Sequence, residues 1–296
     1  MTSARRAEIG VVIIHGMGDA APDFARPLID GLSRALGDDA ASVAFEPCFW
    51  SDILQEGQDE IWNRLQRAPT AMNFTVLRRW IVGTLGDPPG YLSGYERRGI
   101  PVMHAVHQRF ADAIGALERR LNDAAAPLMI FAHSLGGVVV TNYLWNLERE
   151  AGEVGTPAPS ALHAGAREVA RRAIGDTPMQ RLESLAGLVT FGCNIPLFLP
   201  PTPPFECVRF PRPGLPDRLK STAQWSNVYD PYDILGYPLA DLWDETHGTA
   251  IRDVAMEVGM PGISMTPLSH TRYWTDPGFH ALAANELRRV LAAARR

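Results

Sequence analysis

The chain has 296 residues, enough for one large domain or two small ones and for a substantial core. It is 46% hydrophobic and 21% charged, the balance of an ordinary globular protein rather than a disordered one. A net charge of −5 gives no electrostatic basis for a nucleic-acid partner, and no apolar run approaches the length of a membrane span.

The opening "MTSARRAEIGVVIIHG" has the basic flavour of a signal peptide, but its apolar run is short and leads into "HGMGD" rather than a small-residue cleavage site. Residues 9–16 therefore read as a first buried strand, and a cytoplasmic location is expected. A helix is predicted over 23–36 and a second strand over 42–50. Residues 51–99 differ in texture. Two helical stretches, "ILQEGQDEIWNRL" and "FTVLRRWIVGTL", are followed by the loose "GDPPGYLSGYERRG". From Met103, apolar residues recur at 103, 106, 110, 114, 117 and 121, the stripe of an amphipathic helix.

"PLMIFA" (127–132) then reads as a buried strand and "LGGVVVTNYLWNL" (135–147) as an apolar helix. Residues 150–184, rich in Ala, Gly, Pro and Arg, read as an irregular excursion. Further strands are predicted at 185–194, 224–230 and 253–260. The proline-dense 195–216 cannot be regular helix or central strand, because proline withholds backbone donors. Residues 276–296 close the chain as a helix. Strands alternating with helices imply an α/β fold with a mostly parallel central sheet flanked by helices.

Chemistry concentrates at Ala132-His133-Ser134-Leu135-Gly136. A strand passing into a helix through so few residues forces a sharp turn at Ser134, with a strained backbone and a hydroxyl standing clear. That is the geometry of a nucleophile elbow, although Ala132 takes the place of the first glycine in G-x-S-x-G. The bland alternative is a helix-capping serine.

A nucleophilic serine needs a base and an orienting acid; on α/β-hydrolase sheets, which carry such an elbow, these follow the serine as acid, then histidine. Four histidines lie downstream, at 163, 247, 270 and 280. His270, in "PLSHTRYW" between the last strand and the last helix, is best placed, with His247 behind it. The acid is Asp230 or Asp233 in "WSNVYDPYDILGYPL"; the other is then a turn-former beside Pro231. Backbone amides of Leu135 and, from "HGMGD", Met17 would form an oxyanion hole. His15, Gly16, His133 and Trp80 are expected to contact substrate.

On "HGMGD", "AHSLGG", "TFGCNIPLF", "NVYDPYDILGYPL" and "SHTRYW" the chain resembles the lipase and esterase branch of the α/β-hydrolases. The resemblance covers both ends of a single domain, 1–296, and leaves residues 51–99 and 150–184 as insertions. It implies Asp233 as the acid, the site at the carboxyl ends of the strands, and hydrolysis of carboxylic esters through an acyl-enzyme. An amidase, peptidase or thioesterase would use the same triad, and a silent binding protein could keep the fold.

Residues 51–99 are expected to form a helical cap whose Ile61, Trp62, Leu65, Phe74, Leu77, Trp80, Ile81 and Leu85 receive an apolar acyl chain. A small-molecule ester is the expected partner, with no cofactor. Cys48, Cys193 and Cys207 are too widely spaced for a metal cluster or a disulfide framework. His104 and His107 share a helix face at i, i+3 but have no third ligand nearby, so surface or packing histidines are expected. Lys220 is the only lysine among 28 basic residues, which argues against Schiff-base chemistry.

Overall fold

A computed structural model describes residues 7–18, 20–67, 73, 75, 79, 82, 87, 91, 96, 97, 100–150, 174–199, 202–259 and 267–296. Eight strands and five main helices are assigned among them. They are β1 (Ile9–Ile14), α1 (Arg26–Leu36), β2 (Val43–Cys48), α2 (Asp52–Leu65), β3 (Glu96–Arg97), β4 (Ile100–Pro101), α3 (Val102–Leu121), β5 (Leu128–His133), α4 (Leu135–Glu150), β6 (Leu185–Phe191), β7 (Gln224–Tyr229), β8 (Ile251–Ala255) and α5 (Pro277–Ala294). Residues 151–173, most of the second expected insertion, lie outside the described residues, as do Phe74, Leu77, Trp80, Ile81 and Leu85.

Six strands form one sheet in the order β2-β1-β5-β6-β7-β8, and every neighbouring pair is parallel. The apolar runs of β1 and β5 are buried throughout, because helices cover both faces. Alternation along each strand decides which face each residue serves. Val12, Ile14, Ile130 and Ala132 join Phe110, Ile114 and Leu117 of α3 and Val139, Tyr143 and Leu147 of α4. Val11, Ile13, Met129 and Phe131 join Leu28 and Leu32 of α1 and Leu287 and Val290 of α5. The predicted stripe of α3 is the face packed on the sheet: Val106, Phe110, Ile114, Leu117 and Leu121 are buried.

The last strand is two residues earlier than its sequence suggests, at Ile251–Ala255 rather than 253–260. Pairing with β7 extends it backwards, and the Asp230 carboxylate takes the Val258 N–H at 2.9 Å, drawing the chain off the sheet. His104 and His107 are both buried on α3, and His107 meets the Tyr91 hydroxyl at 2.9 Å. Trp50, just before α2, is fully buried in the core with Val106 and Phe110 of α3. No described helix is long and apolar enough to cross a membrane.

The chain runs from β1 outward to β2, then returns to place β5 on β1's other side. Strand order therefore reverses between β1 and β5, and open parallel sheets place their sites outside the carboxyl ends of the strands at such a switch point.

Candidate active site

The β1–β5 register pairs Ile14 with Ala132, which sets the turn His15-Gly16-Met17 beside His133 and Ser134. Ser134 sits at φ +52°, one of four non-glycine residues with positive φ among those described. For serine this left-handed conformation costs roughly 1–3 kcal/mol, and such strain concentrates at functional sites. Two backbone bonds impose it: Ser134 N–H donates to Phe191 C=O at 3.0 Å, and Gly137 N–H to Ser134 C=O at 2.9 Å. The strand must end and the helix begin on this one residue.

The hydroxyl does not stand clear. Ser134 has no solvent exposure, because the turn after β1 and the segment carrying His270 close over it. A Cβ at Gly16 would come within 2.5 Å of Ser134 Cβ, so only glycine permits this approach. Gly136 serves the same crowding, since a Cβ there would lie 2.7 Å from the His15 carbonyl. It packs the helix start against the end of β1, not against its own strand.

His270 lies on the 3₁₀ segment Pro267–Trp274. Its Nε2 is 2.9 Å from Ser134 Oγ, and its Nδ1 is 2.9 Å from Asp233 Oδ2 and 3.0 Å from Oδ1. The Asp233 carboxylate also accepts from Leu235 N–H at 3.0 Å and from the Tyr273 hydroxyl at 3.2 Å. Serine, imidazole and carboxylate thus form one hydrogen-bonded line, supplied by the exits of three different strands. Asp230 faces away from it, accepting from Tyr232 N–H at 2.8 Å and Val258 N–H at 2.9 Å, the turn-former's part. His247 lies in a turn at φ +49°, and His280 is buried in α5, bonded to Trp274 C=O at 3.1 Å. His163 lies outside the described residues.

Tyr273 is a site residue that the sequence reading passes over. Three positions after His270, it returns to the same side of the 3₁₀ segment, where its hydroxyl donates to Asp233 and accepts from Asp230 N–H at 2.7 Å. It links the two aspartates. Burial, and then the Asp233 charge, push its phenol well above the ordinary range, so it stays a donor.

The two histidines expected against substrate are engaged with the protein. His133 Nε2–H donates to the His270 carbonyl at 2.8 Å, and its ring packs against Phe191 and Trp274, each at 5.1 Å. His15 Nε2 accepts from Trp50 N–H at 3.0 Å, which leaves the proton on Nδ1 to donate to Gly16 C=O at 2.8 Å. The imidazole stacks on the Trp50 indole at 5.0 Å and 4°. Leu135 opens α4, so its N–H has no intrahelical acceptor, and Met17 N–H is the other end of the peptide whose Gly16 C=O His15 grips. Trp80 lies outside the described residues. No group of three His, Cys, Asp or Glu able to hold a metal occurs among the described residues.

Burial depresses the histidines below their ordinary value of 6.5: His15 to about 4, His107 to about 3, and His133 well below. Each is neutral when folded and takes up a proton more readily when unfolded. Stability is therefore full above pH 6.5 and falls as pH drops towards the folded values, by about 1.4 kcal/mol per pH unit per histidine. Urea midpoints at pH 8 and pH 5 should differ markedly in that direction; equal midpoints would contradict the burial of these rings.

No family model matches the chain, and no curated protein matches it.

Proposed function

We propose that the protein is a serine hydrolase of the α/β-hydrolase kind, acting on carboxylic esters. The observation that carries this reading is the continuous line Asp233–His270–Ser134, ending on a serine held at φ +52° where a central strand turns into a helix. A serine that merely capped α4 would need neither the strain nor the imidazole.

In the proposed reaction Ser134 Oγ attacks the ester carbonyl while its proton passes to His270 Nε2. The amides of Leu135 and Met17 stabilise the oxyanion. The same proton then goes to the departing alkoxide, leaving the acyl group on Ser134. Water gives a proton to His270 and attacks the acyl-enzyme, and collapse returns that proton to Ser134 and frees the acid. Asp233 fixes the imidazole tautomer and balances its positive charge.

Residues 51–99 are proposed as a helical cap that receives the acyl chain. Of its expected apolar residues, Trp62 is turned inward, while Ile61 and Leu65 are 53% and 41% exposed. Each methylene buried there would add roughly 0.8 kcal/mol to binding. One labelling experiment tests both parts. A long-chain fluorophosphonate should modify the peptide containing Ser134, and faster than a short-chain one does. Absence of labelling at Ser134 would overturn the hydrolase reading; faster labelling by the short probe would remove the acyl-binding cap.

A further inference from the structure

The turn after β1 is gripped from the side of residues 51–99. Gly18 N–H donates to Asp87 Oδ2 at 2.6 Å, and the other oxygen of Asp87 accepts from Gln58 Nε2 of α2. Ser51 Oγ donates to Gly18 C=O at 3.2 Å. One residue back, the Trp50 indole N–H donates to His15 C=O at 3.1 Å. Asp87 is only 2% exposed, although carboxylates are rarely buried without a specific partner.

We propose that Asp87 is a positioning residue for the oxyanion hole, a role that rests on the serine-hydrolase reading above. Met17 lies between two peptide groups. The one before it is held at Gly16 C=O by His15, and the one after it at Gly18 N–H by Asp87. Peptide units are planar and trans, so gripping one end of each fixes the other. The direction of Met17 N–H is set by His15, and the turn that would let it swing is locked by Asp87. Gly18, at φ +100°, has no intrinsic preference strong enough to hold that turn alone. A charge-assisted bond to a buried carboxylate supplies the restraint. Ser51, Gln58 and Asp87 then complete the electrophilic half of the site, and the hydrolase core would lose turnover without them.

The test separates positioning from plain stability. Removing one oxyanion donor outright costs about 10²–10³ in kcat, so releasing the loop that aims it should cost about tenfold to a hundredfold. Asp87→Ala should lower kcat on p-nitrophenyl butyrate by that factor, leave KM within about threefold, and weaken a trifluoromethyl ketone inhibitor in parallel with kcat/KM. Asp87→Asn should restore most of the turnover, since its amide oxygen can still accept from Gly18 while Gln58 flips to pair with its NH₂. Should the alanine variant fail to fold, Gln58→Ala, which removes the Gln58 amide from the other carboxylate oxygen, should show a smaller drop in kcat of the same kind. Wild-type kcat in the folded alanine variant, or in Gln58→Ala if the alanine variant does not fold, would overturn the proposal, as would a loss confined to KM. Wild-type protein with neither esterase activity nor Ser134 labelling would instead remove the reading on which it rests.

Discussion

Ser134→Ala will lower kcat for a p-nitrophenyl ester by at least about a thousandfold and leave a folded protein. The size follows from what the proposed reaction would lose: the atom that would form the acyl-enzyme and the hydroxyl that donates to His270 Nε2 at 2.9 Å. The backbone is the second half of the argument. Alanine inherits φ +52° and its strain, whereas glycine adopts that conformation freely. Ser134→Gly should therefore be equally inactive yet more stable than Ser134→Ala by about 1 kcal/mol, read from urea midpoints. An alanine variant keeping a tenth of wild-type turnover would exclude Ser134 as nucleophile, and a glycine variant no more stable than the alanine one would deny the strain.

The second large effect separates two aspartates three residues apart. Asp233→Asn should reduce kcat by about 10³–10⁴, because an amide presents the wrong partner to His270 Nδ1–H and cannot balance the imidazolium. Asp230→Asn should leave kcat within a few-fold and lower stability instead, by about 1–3 kcal/mol, since one of the buried N–H groups of Tyr232 and Val258 loses its charged acceptor. Parallel measurement of kcat and the urea midpoint gives a crossed pattern. If the pattern inverts, Asp230 carries the acid's part, and the bond between Asp233 and His270 is only structural.

Much of the fold is legible in the sequence because periodicity is a local record of burial. The runs "IGVVII" and "LMIFAH" have no polar face, which requires helices on both sides of the sheet. The stripe from Met103 to Leu121 has one apolar face, and that face packs on the sheet. Boundaries are less legible where a partner sets them. β8 begins at Ile251 because β7 pairs there, and ends where Asp230 captures Val258, neither of which is written in "DVAMEVGM".

At the candidate site, residue type and chain order single out Ser134, His270 and the pair of aspartates, because a strand–serine–helix junction is a short-range pattern. One reading fails for lack of the third dimension. The Ser134 hydroxyl is covered rather than clear, since elements more than a hundred residues away in sequence close over it. Nor does the sequence show that the ring N–H groups of His15 and His133 are taken by the Gly16 and His270 carbonyls.

By itself the sequence determined an α/β fold with alternating strands and helices, and the sharp turn at Ser134. Both follow from interactions between residues close along the chain, where the backbone limits the choices. Only the tertiary structure decided that Asp233 rather than Asp230 meets His270, that Tyr273 ties the two aspartates together, and that Asp87 grips the turn after β1. These are hydrogen bonds between residues 37 to 69 positions apart, or between loops leaving different strands. Such pairs are selected by where the sheet order sets the strand ends, and no local pattern encodes that.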